Sequence, residues 1–201
     1  MITFNDVSFF EKKNSLRDCI DQEMLEFKLH QSVNLKEYIK LRSEFLKAQP
    51  NSALSEEYIQ CFLPKIAVFA GSFNPFHKGH YNILQKAEKI FDKVIIAFGK
   101  NPEKENRGHK IPGSIKNRQL ESYEGLLTDF ISTLGYDVVV IRGLRNSTDF
   151  DYEQNQYRYI QELMPDIKIV NIFCDKEFEH ISSSGIRTLE KYNKHQNYLL
   201  D

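Results

Sequence analysis

From Lys65 onward, short apolar runs rich in β-branched residues alternate with segments of helical periodicity. The first apolar run, Lys65–Ala70, is followed by Tyr81–Phe91, where apolar residues recur on one helical face, and then by a second run, Val94–Phe98. Such a run between polar residues is typical of a buried strand, whereas three- and four-residue spacing is typical of an amphipathic helix. The alternation therefore predicts a βαβ unit of about 30 residues.

The same alternation continues towards the C-terminus. Leu120–Leu134 and Phe150–Leu163 have helical spacing and precede the strand-like runs Val138–Ile141 and Ile167–Phe173, respectively. Continuous apolar strands separated by helices indicate a parallel sheet that is covered on both faces. We therefore expect an α/β fold, a Rossmann-like doubly wound parallel sheet that binds its ligands in a crevice at the carboxyl ends of the strands.

Residues 1–64 lack this alternation and are predicted to form an N-terminal helical extension to a domain spanning residues 65–201. Ser55 is placed to cap a last short helix that ends at Pro64. The segment 48–52 contains turn-forming residues that separate this helix from an earlier one. Because apolar helical faces normally bury against the nearest domain, we expect the extension to pack against the α/β domain. An oligomer contact or recruitment of a partner is the alternative role. The residues at helical spacing are Leu35, Tyr38, Ile39, Arg42, Phe45 and Leu46.

Charge and cysteine content restrict the class of function. Lys and Arg total 27 against 28 Asp and Glu, a formal net charge of -1, so no overall field attracts nucleic acid or an anionic membrane. Cys19, Cys61 and Cys174 are odd in number and widely spaced, which predicts reduced core thiols rather than disulfides or a metal cluster. The first residues lack the pattern of a secretory leader, and we expect a soluble, cytoplasmic protein.

The segment between the first predicted strand and its helix carries a candidate phosphate site. A strand followed by a glycine, a hydroxyl residue and a helix start directs backbone N–H groups and the positive helix end towards one point, where an anion is stabilised. An ordinary strand–helix turn does not explain two histidines at that helix start, so we predict that they contact a polyphosphate. The segment reads Gly71-Ser72-Phe73-Asn74-Pro75-Phe76-His77-Lys78-Gly79-His80.

Two further segments carry residues suited to phosphate. The run Ile181-Ser182-Ser183-Ser184-Gly185-Ile186-Arg187 places three hydroxyls at the predicted start of a helix, a second anion-binding terminus. The run Arg142-Gly143-Leu144-Arg145 follows a predicted strand, and paired arginines suit bidentate phosphate recognition. Each pattern alone is compatible with an ordinary turn or a solvated loop. Together they indicate a site for phosphate chemistry.

The first and last of these motifs together resemble the H-x-G-H and I-S-S-S/T-x-x-R signatures of the nucleotidyltransferase superfamily, whose members transfer a nucleoside monophosphate to a phosphate-bearing acceptor. The central R-G-L-R run, followed by D-F-x-Y-E over 149–153, resembles the phosphopantetheine adenylyltransferase family specifically. Asn101-Pro102-Glu103-Lys104 and the segment 122–130, which matches S-x-x-G-L-L-x-D-F, are also similar to that family. The resemblance covers about residues 65–190 and implies the nucleotidyltransferase fold for the catalytic domain.

This resemblance implies an enzyme that transfers AMP from MgATP to 4′-phosphopantetheine, giving dephospho-coenzyme A and pyrophosphate, with Mg²⁺ held mainly by the ATP phosphates. The implied catalytic residues are His80, Lys104 and Arg145. The implied ATP-binding residues are Ser72, Phe73, His77, His80, Gly143, Leu144, Arg145, Glu153, Phe178, Ile181, Ser182, Ser183 and Ser184. The implied acceptor-binding residues are Ser72, Lys104, Leu127 and Arg142. At the position of His77 the family has either His or Thr, and its members are usually homo-oligomers.

Two other functions are compatible with the sequence. A nicotinate or nicotinamide mononucleotide adenylyltransferase shares the first and last motifs. It is favoured by Asn74 and by Ile160, which stands where many phosphopantetheine adenylyltransferases have an Asn near the pantetheine. A non-catalytic nucleotide sensor on the same fold would use the helical extension as its effector part. The chain, however, has all the transition-state contacts that such a sensor need not keep, namely His80, Lys104, Arg142 and Arg145.

Overall fold

The computed structural model describes residues 27, 33–48, 59–100 and 111–201. The strands are β1 Ile66–Gly71, β2 Lys93–Lys100, β3 Gln119–Glu124, β4 Val139–Leu144 and β5 Lys168–Phe173. The helices are α1 Leu35–Lys47, α2 Lys78–Ile90, α3 Leu127–Leu134, α4 Ser147–Leu163 and α5 Ser183–Glu190, with 3₁₀ turns at Gly113–Ile115, Lys176–Phe178 and Gln196–Tyr198. These strands form one sheet in the order β3-β2-β1-β4-β5, and each neighbouring pair is parallel. The predicted α/β fold with a doubly wound parallel sheet is confirmed.

The order of the strands determines where a ligand can bind. β1 lies at the centre of the sheet and pairs with β2 on one side and β4 on the other. The chain therefore winds outward from β1 in one direction and from β4 in the other, which opens a crevice between the carboxyl ends of these two strands. β1 is apolar because both of its faces are covered, and Val68 and Phe69 are almost completely buried.

Different helices cover the two faces of the sheet. On one face α2 inserts Ile83, Leu84 and Ala87 against β1, β2 and β4. On the other face α1 lies beside α3, and Leu35 packs with Val68 and other residues of β1 and β2. The helical spacing predicted from Leu35 to Leu46 thus corresponds to α1, and the predicted packing against the α/β domain is observed for this helix. The predicted cap at Ser55 and most of the segment 48–52 lie outside the described residues.

One predicted element is wrong. The segment Leu120–Leu134 was expected to be helical throughout, but its first part belongs to β3, and helix α3 begins only at Leu127. β3 is an edge strand that pairs with β2 alone, so it tolerates the polar residues that hide a strand pattern. Gly125, with a φ of 81°, separates the two elements in a left-handed conformation that favours glycine.

Two smaller expectations also have clear outcomes. Cys174 is buried as predicted, whereas Cys61 is exposed, so the prediction of core thiols is wrong for Cys61; Cys19 lies outside the described residues. Ile160 packs with Val140 and other apolar residues between α4 and the sheet, so it fills the core rather than a ligand pocket.

None of the helices in the described part of the chain combines the length and apolar character needed to cross a bilayer.

Candidate active site

A cavity of about 1180 Å³ opens at the carboxyl ends of the strands, as the fold predicts. It lies between the loop after β1, the end of β4 and the start of α5, and it extends to the end of β2 at Gly99 and Lys100. Single-ligand pockets are typically about 300–1,000 Å³. The cavity is therefore large enough for a nucleotide and a second substrate.

Two glycines allow the elements around this cavity to approach one another. A Cβ atom on Gly71, at the end of β1, would lie only 2.8 Å from the ring of Phe73. Phe73 itself adopts a left-handed φ of 41° while its ring is buried in the core. A Cβ atom on Gly143 would lie 3.2 Å from Ile83 of α2. Glycine at these positions lets the loop after β1 turn back on itself and lets α2 lie close to β4.

The two histidines cap the start of α2 reciprocally. Nδ1 of His77 accepts the backbone N–H of His80 at 3.4 Å, and Nδ1 of His80 accepts the backbone N–H of His77 at 3.3 Å. Their rings stack with centroids 3.6 Å apart. Because each Nδ1 is an acceptor, each neutral ring carries its proton on Nε2. His80 therefore offers the cavity an Nε2–H donor held in place by the helix start.

Both histidines are held in the neutral state. Burial, with a further contribution from the positive charge of Arg145, lowers the pKa of His77 to about 4. Burial also lowers the pKa of His80 well below its usual value, with smaller contributions from His77 and Arg145. The aromatic rings of Phe73 and Phe76 pack against His80 with centroids 5.0 and 5.3 Å away and provide this apolar environment. At neutral pH the pair consists of uncharged hydrogen-bond donors rather than imidazolium cations.

We expect a His77→Thr variant to lose part of the acid sensitivity of the fold between about pH 4 and 6.5. Because the pKa of His77 is about 4 when folded and 6.5 when exposed, acidification through this interval protonates the unfolded chain first and lowers the free energy of unfolding. A shift of this size corresponds to about 3 kcal/mol. Thr keeps an N-cap acceptor for the backbone N–H of His80 but does not titrate in this range.

Urea denaturation of both proteins at about pH 7 and about pH 4.5 measures this difference. The wild type should lose more stability on acidification than the variant. Of the two histidines, the variant retains only His80 as a source of acid sensitivity. An equal loss in the two proteins would contradict the assignment of this acid sensitivity to His77.

Arg145 supplies a positive charge that acts on both histidines. It follows β4, and its guanidinium donates from Nε and Nη2 to the two carboxylate oxygens of Asp149 at 2.8 and 2.7 Å. The backbone N–H of Arg145 also donates to Asp149, whose own backbone N–H is capped by Asn146 at the start of α4. This pairing raises the pKa of Arg145 and lowers that of Asp149. The guanidinium is therefore permanently charged and fixed in orientation at the cavity wall.

Arg142 has a different environment, although it lies only three residues earlier. Its Nε and Nη2 donate to the carboxylate of Glu153 at 2.6 and 2.7 Å, and both side chains are mostly buried. Glu153 lines the cavity, whereas Arg142 does not. Because β4 alternates its side chains between faces, Arg142 points towards α4 while Gly143 faces α2.

The serine run forms the opposite wall. Ser182 caps α5 by accepting the backbone N–H of Gly185 at 3.0 Å, and the residues 182–184 at the start of this helix line the cavity. Ser183 donates to the carbonyl oxygen of Pro75 at 3.0 Å, and Arg187 donates to the carbonyl oxygen of Asn74. These bonds join α5 to the loop after β1. The starts of α2, α4 and α5 thus lie around one cavity, an arrangement that favours a polyphosphate.

The cavity brings together most of the predicted site residues. Four others lie outside its lining: Phe73 is in the core below it, Phe178 packs on the α2 side of the core, Leu127 lies between α3 and the sheet, and Arg142 is paired with Glu153. Lys104 lies outside the described residues. The predicted residues that line the cavity are Ser72, His77, His80, Gly143, Leu144, Arg145, Glu153, Ile181, Ser182, Ser183 and Ser184.

Several lining residues were not predicted. Lys100 and Glu124 form an ion pair of 3.1 Å because they are directly opposite in the register of β2 and β3. Asp149 lies in the first turn of α4 and pairs with Arg145, which precedes that helix. The sequence signal for Asp149 is its place at the start of the D-F-x-Y-E run after Arg145. The remaining unpredicted lining residues are Asn74, Gly79, Ile83, Gly99, Tyr152, Cys174, Arg187, Thr188 and Lys191.

The carboxylates at the cavity are already engaged by cations. Asp149 is paired with Arg145, Glu153 with Arg142, and Glu124 with Lys100. Within the described ranges, no three His, Cys, Asp or Glu side chains form a cluster that could hold a metal ion. The site is therefore organised around positive charge and N–H donors, which suits anionic ligands.

The part of the chain that builds the sheet and this cavity is similar to known proteins. A family model described as Cytidylyltransferase-like matches residues 68–189. A phosphopantetheine adenylyltransferase from Mycoplasma capricolum subsp. capricolum is 40% identical over 139 residues, covering 65% of this chain and 99% of the relative. One from Cytophaga hutchinsonii is 38% identical over 141 residues, covering 65% and 93%.

Among solved structures, a bifunctional NMN adenylyltransferase/ADP ribose pyrophosphatase from Francisella tularensis has 18% sequence identity and a TM-score of 0.48. That match covers 68% of this chain and 45% of the other. Because the family model spans more than half of the sequence and the curated relatives align over almost their whole length, the chain belongs to the cytidylyltransferase-like family, in which these relatives are phosphopantetheine adenylyltransferases.

Proposed function

We propose that this protein is an adenylyltransferase that transfers AMP from ATP to 4′-phosphopantetheine, forming dephospho-coenzyme A and pyrophosphate. The observation that carries the proposal is the cavity in which the neutral His77–His80 pair, the fixed guanidinium of Arg145 and the start of α5 surround one space. The curated relatives named phosphopantetheine adenylyltransferase support the identity of the acceptor.

The reaction requires alignment and charge stabilisation rather than a covalent intermediate. An oxygen of the acceptor phosphate attacks the α-phosphorus of ATP, and the bond from that phosphorus to the oxygen bridging to the β-phosphate breaks. Pyrophosphate leaves with the electron pair of that bond. Nε2–H of His80 donates to the α-phosphoryl group as its charge is redistributed, and Arg145 and the helix starts stabilise the charge on the leaving phosphates.

The remaining residues divide between the two substrates. We propose that Glu153 and the start of α5, together with Phe73 and Phe178 behind the cavity wall, shape the ATP site. Ser72 lies at the end of β1, where it can contact both substrates. The acceptor site would use Lys104, Leu127 and Arg142. Because Arg142 is bonded to Glu153 in this structure, we propose that the acceptor phosphate draws the guanidinium away from that carboxylate.

Mg²⁺ is proposed to enter as part of the MgATP substrate. Magnesium is commonly coordinated by substrate phosphates and water, with few protein ligands. The carboxylates at the cavity are paired with arginine and lysine, so phosphate oxygens are the better ligands for the ion.

The proposal includes the architecture of the chain. Residues 1–64 form an extension and residues 65–201 the catalytic domain; in support, Leu35 of α1 packs on the face of the sheet opposite α2. We also propose that the chain forms a homo-oligomer. Tyr159 and Leu163 on α4 are 65% and 60% exposed, which leaves apolar surface that a second copy can cover.

Pyrophosphate release from MgATP, measured with each acceptor separately, tests the proposed function. We expect release with 4′-phosphopantetheine and none with nicotinamide or nicotinate mononucleotide. Pyrophosphate release with a mononucleotide but not with 4′-phosphopantetheine would assign the acceptor to the pyridine-nucleotide class. ATP binding without release in the presence of any acceptor would instead support the nucleotide sensor.

A further inference from the structure

We propose that Asn82 and Asp175 form a positioning pair that holds the two phosphate-binding ends of the cavity at a fixed separation and thereby sets the affinity for ATP. This inference rests on the proposed function. The cavity takes its histidines from α2 and its serines from α5, two elements about a hundred residues apart in the chain. Their relative position depends on contacts between the α2 region and the segment after β5.

The Asn82–Asp175 contact is reciprocal. Nδ2 of Asn82 donates to Oδ2 of Asp175 at 2.7 Å, and the backbone N–H of Asp175 donates to Oδ1 of Asn82 at 2.9 Å. Lys86, one turn further along α2, forms an ion pair of 2.7 Å with Oδ1 of Asp175 and donates to the carbonyl oxygen of Phe173. The hydrogen bond from Lys86, and then that from Asn82, lower the pKa of Asp175 and keep its carboxylate ionised.

The pair lies next to cavity residues without lining the cavity itself. Asn82 follows His80 by two residues on α2, and Asp175 directly follows Cys174, whereas only His80 and Cys174 belong to the cavity lining. Asp175 is also the residue before the 3₁₀ turn Lys176–Phe178 that leads to the serine run. A substitution of Asn82 or Asp175 therefore affects the ligand site only by shifting α2 or the segment after β5, which the pair joins.

Two other bonds join α5 to the loop after β1, from Ser183 to Pro75 and from Arg187 to Asn74. Ser183, Arg187 and Asn74 line the cavity, so replacing them would remove ligand contacts and positioning together. Asn82, Lys86 and Asp175 are the part of this connection that can be altered without removing a cavity side chain.

The first test is an Asn82→Ala variant. Loss of two hydrogen bonds, one of them to a charged group, should loosen the segment 175–182 and raise both the Kd and the KM for ATP by about tenfold. The kcat and the KM for 4′-phosphopantetheine should change much less, because the variant affects the ATP side. Calorimetry measures the Kd and steady-state kinetics the other constants. A matched control is Lys40→Ala, which removes an exposed ion pair with Glu44 on α1 and should leave all of them unchanged.

The second test exchanges the two residues. Asn82→Asp alone places a carboxylate against Asp175 and should weaken ATP binding at least as much as Asn82→Ala. Asn82→Asp combined with Asp175→Asn keeps an acceptor for the backbone N–H of residue 175 and supplies an amide to donate across the pair, so it should restore affinity. Unchanged ATP affinity in Asn82→Ala, or an exchanged pair as weak as Asn82→Asp, would overturn the inference. Because calorimetry needs no acceptor, this result is independent of whether phosphopantetheine is the substrate.

Discussion

Replacing His80 with alanine is expected to lower kcat by roughly 10²–10³-fold while the Kd for ATP stays nearly constant. The neutral imidazole offers an Nε2–H donor that the helix start holds in place. Charge on the α-phosphoryl group is redistributed mainly in the transition state, so this donor contributes more there than in the ground state. Single-turnover kinetics measure the rate and calorimetry measures ATP binding.

The variant also loses a structural hydrogen bond, which requires a control. Nδ1 of His80 accepts the backbone N–H of His77, and loss of a capping bond costs about 1 kcal/mol of stability. Asn34→Ala removes a capping hydrogen bond from the start of α1, where Asn34 accepts the backbone N–H of Glu37. The control should lose comparable stability and keep its kcat. Near-normal turnover in His80→Ala, or an equal loss of rate in both variants, would exclude a catalytic role for His80.

The sequence predicts the centre of the sheet and the edge strand β5 better than the edge strand β3. β1, α2 and β2 are apolar at the spacing that burial on both sides requires, and their periodicity is visible without any structure. β3 is not predicted, because its residues Gln119–Glu124 are mostly polar, whereas the other edge strand, β5, keeps an apolar run. Helix α4 begins at Ser147, about one turn before the start predicted at Phe150. The apolar spacing does not show this first turn, because it is polar like the capping residue Asn146.

In the candidate active site, too, the sequence predicts some residues and misses others. Residues in the three local motifs converge because each motif follows or precedes a strand end at the same edge of the sheet, which the βαβ pattern implies. The Lys100–Glu124 pair depends on the register of two strands, and the register of β3 was not predicted. The pairing of Arg142 with Glu153 depends on the side of β4 from which Arg142 projects and on how α4 packs against that side. Such contacts follow from tertiary geometry rather than from any local pattern.

Replacing Arg145 with alanine is expected to lower kcat/KM for ATP by roughly 10²–10³-fold and, separately, to raise the pKa of His77 above its value of about 4. The guanidinium is fixed by Asp149 and compensates charge on the leaving phosphates. It also disfavours protonation of His77, although burial is the larger cause, so its removal should raise the pKa only partly towards 6.5. Steady-state kinetics and titration of the His77 resonances by NMR measure the two effects.

Asp149→Asn distinguishes the charge of Arg145 from its orientation. This variant keeps the guanidinium but replaces the carboxylate that receives two of its N–H groups, so the rate should fall less than in Arg145→Ala. The pKa of His77 should not rise as it does in Arg145→Ala, because the positive charge remains. If Arg145→Ala slowed the reaction but left the pKa of His77 at about 4, the cation would not act beside the histidines. If Asp149→Asn were as slow as Arg145→Ala, catalysis would depend on the direction of the guanidinium as much as on its charge.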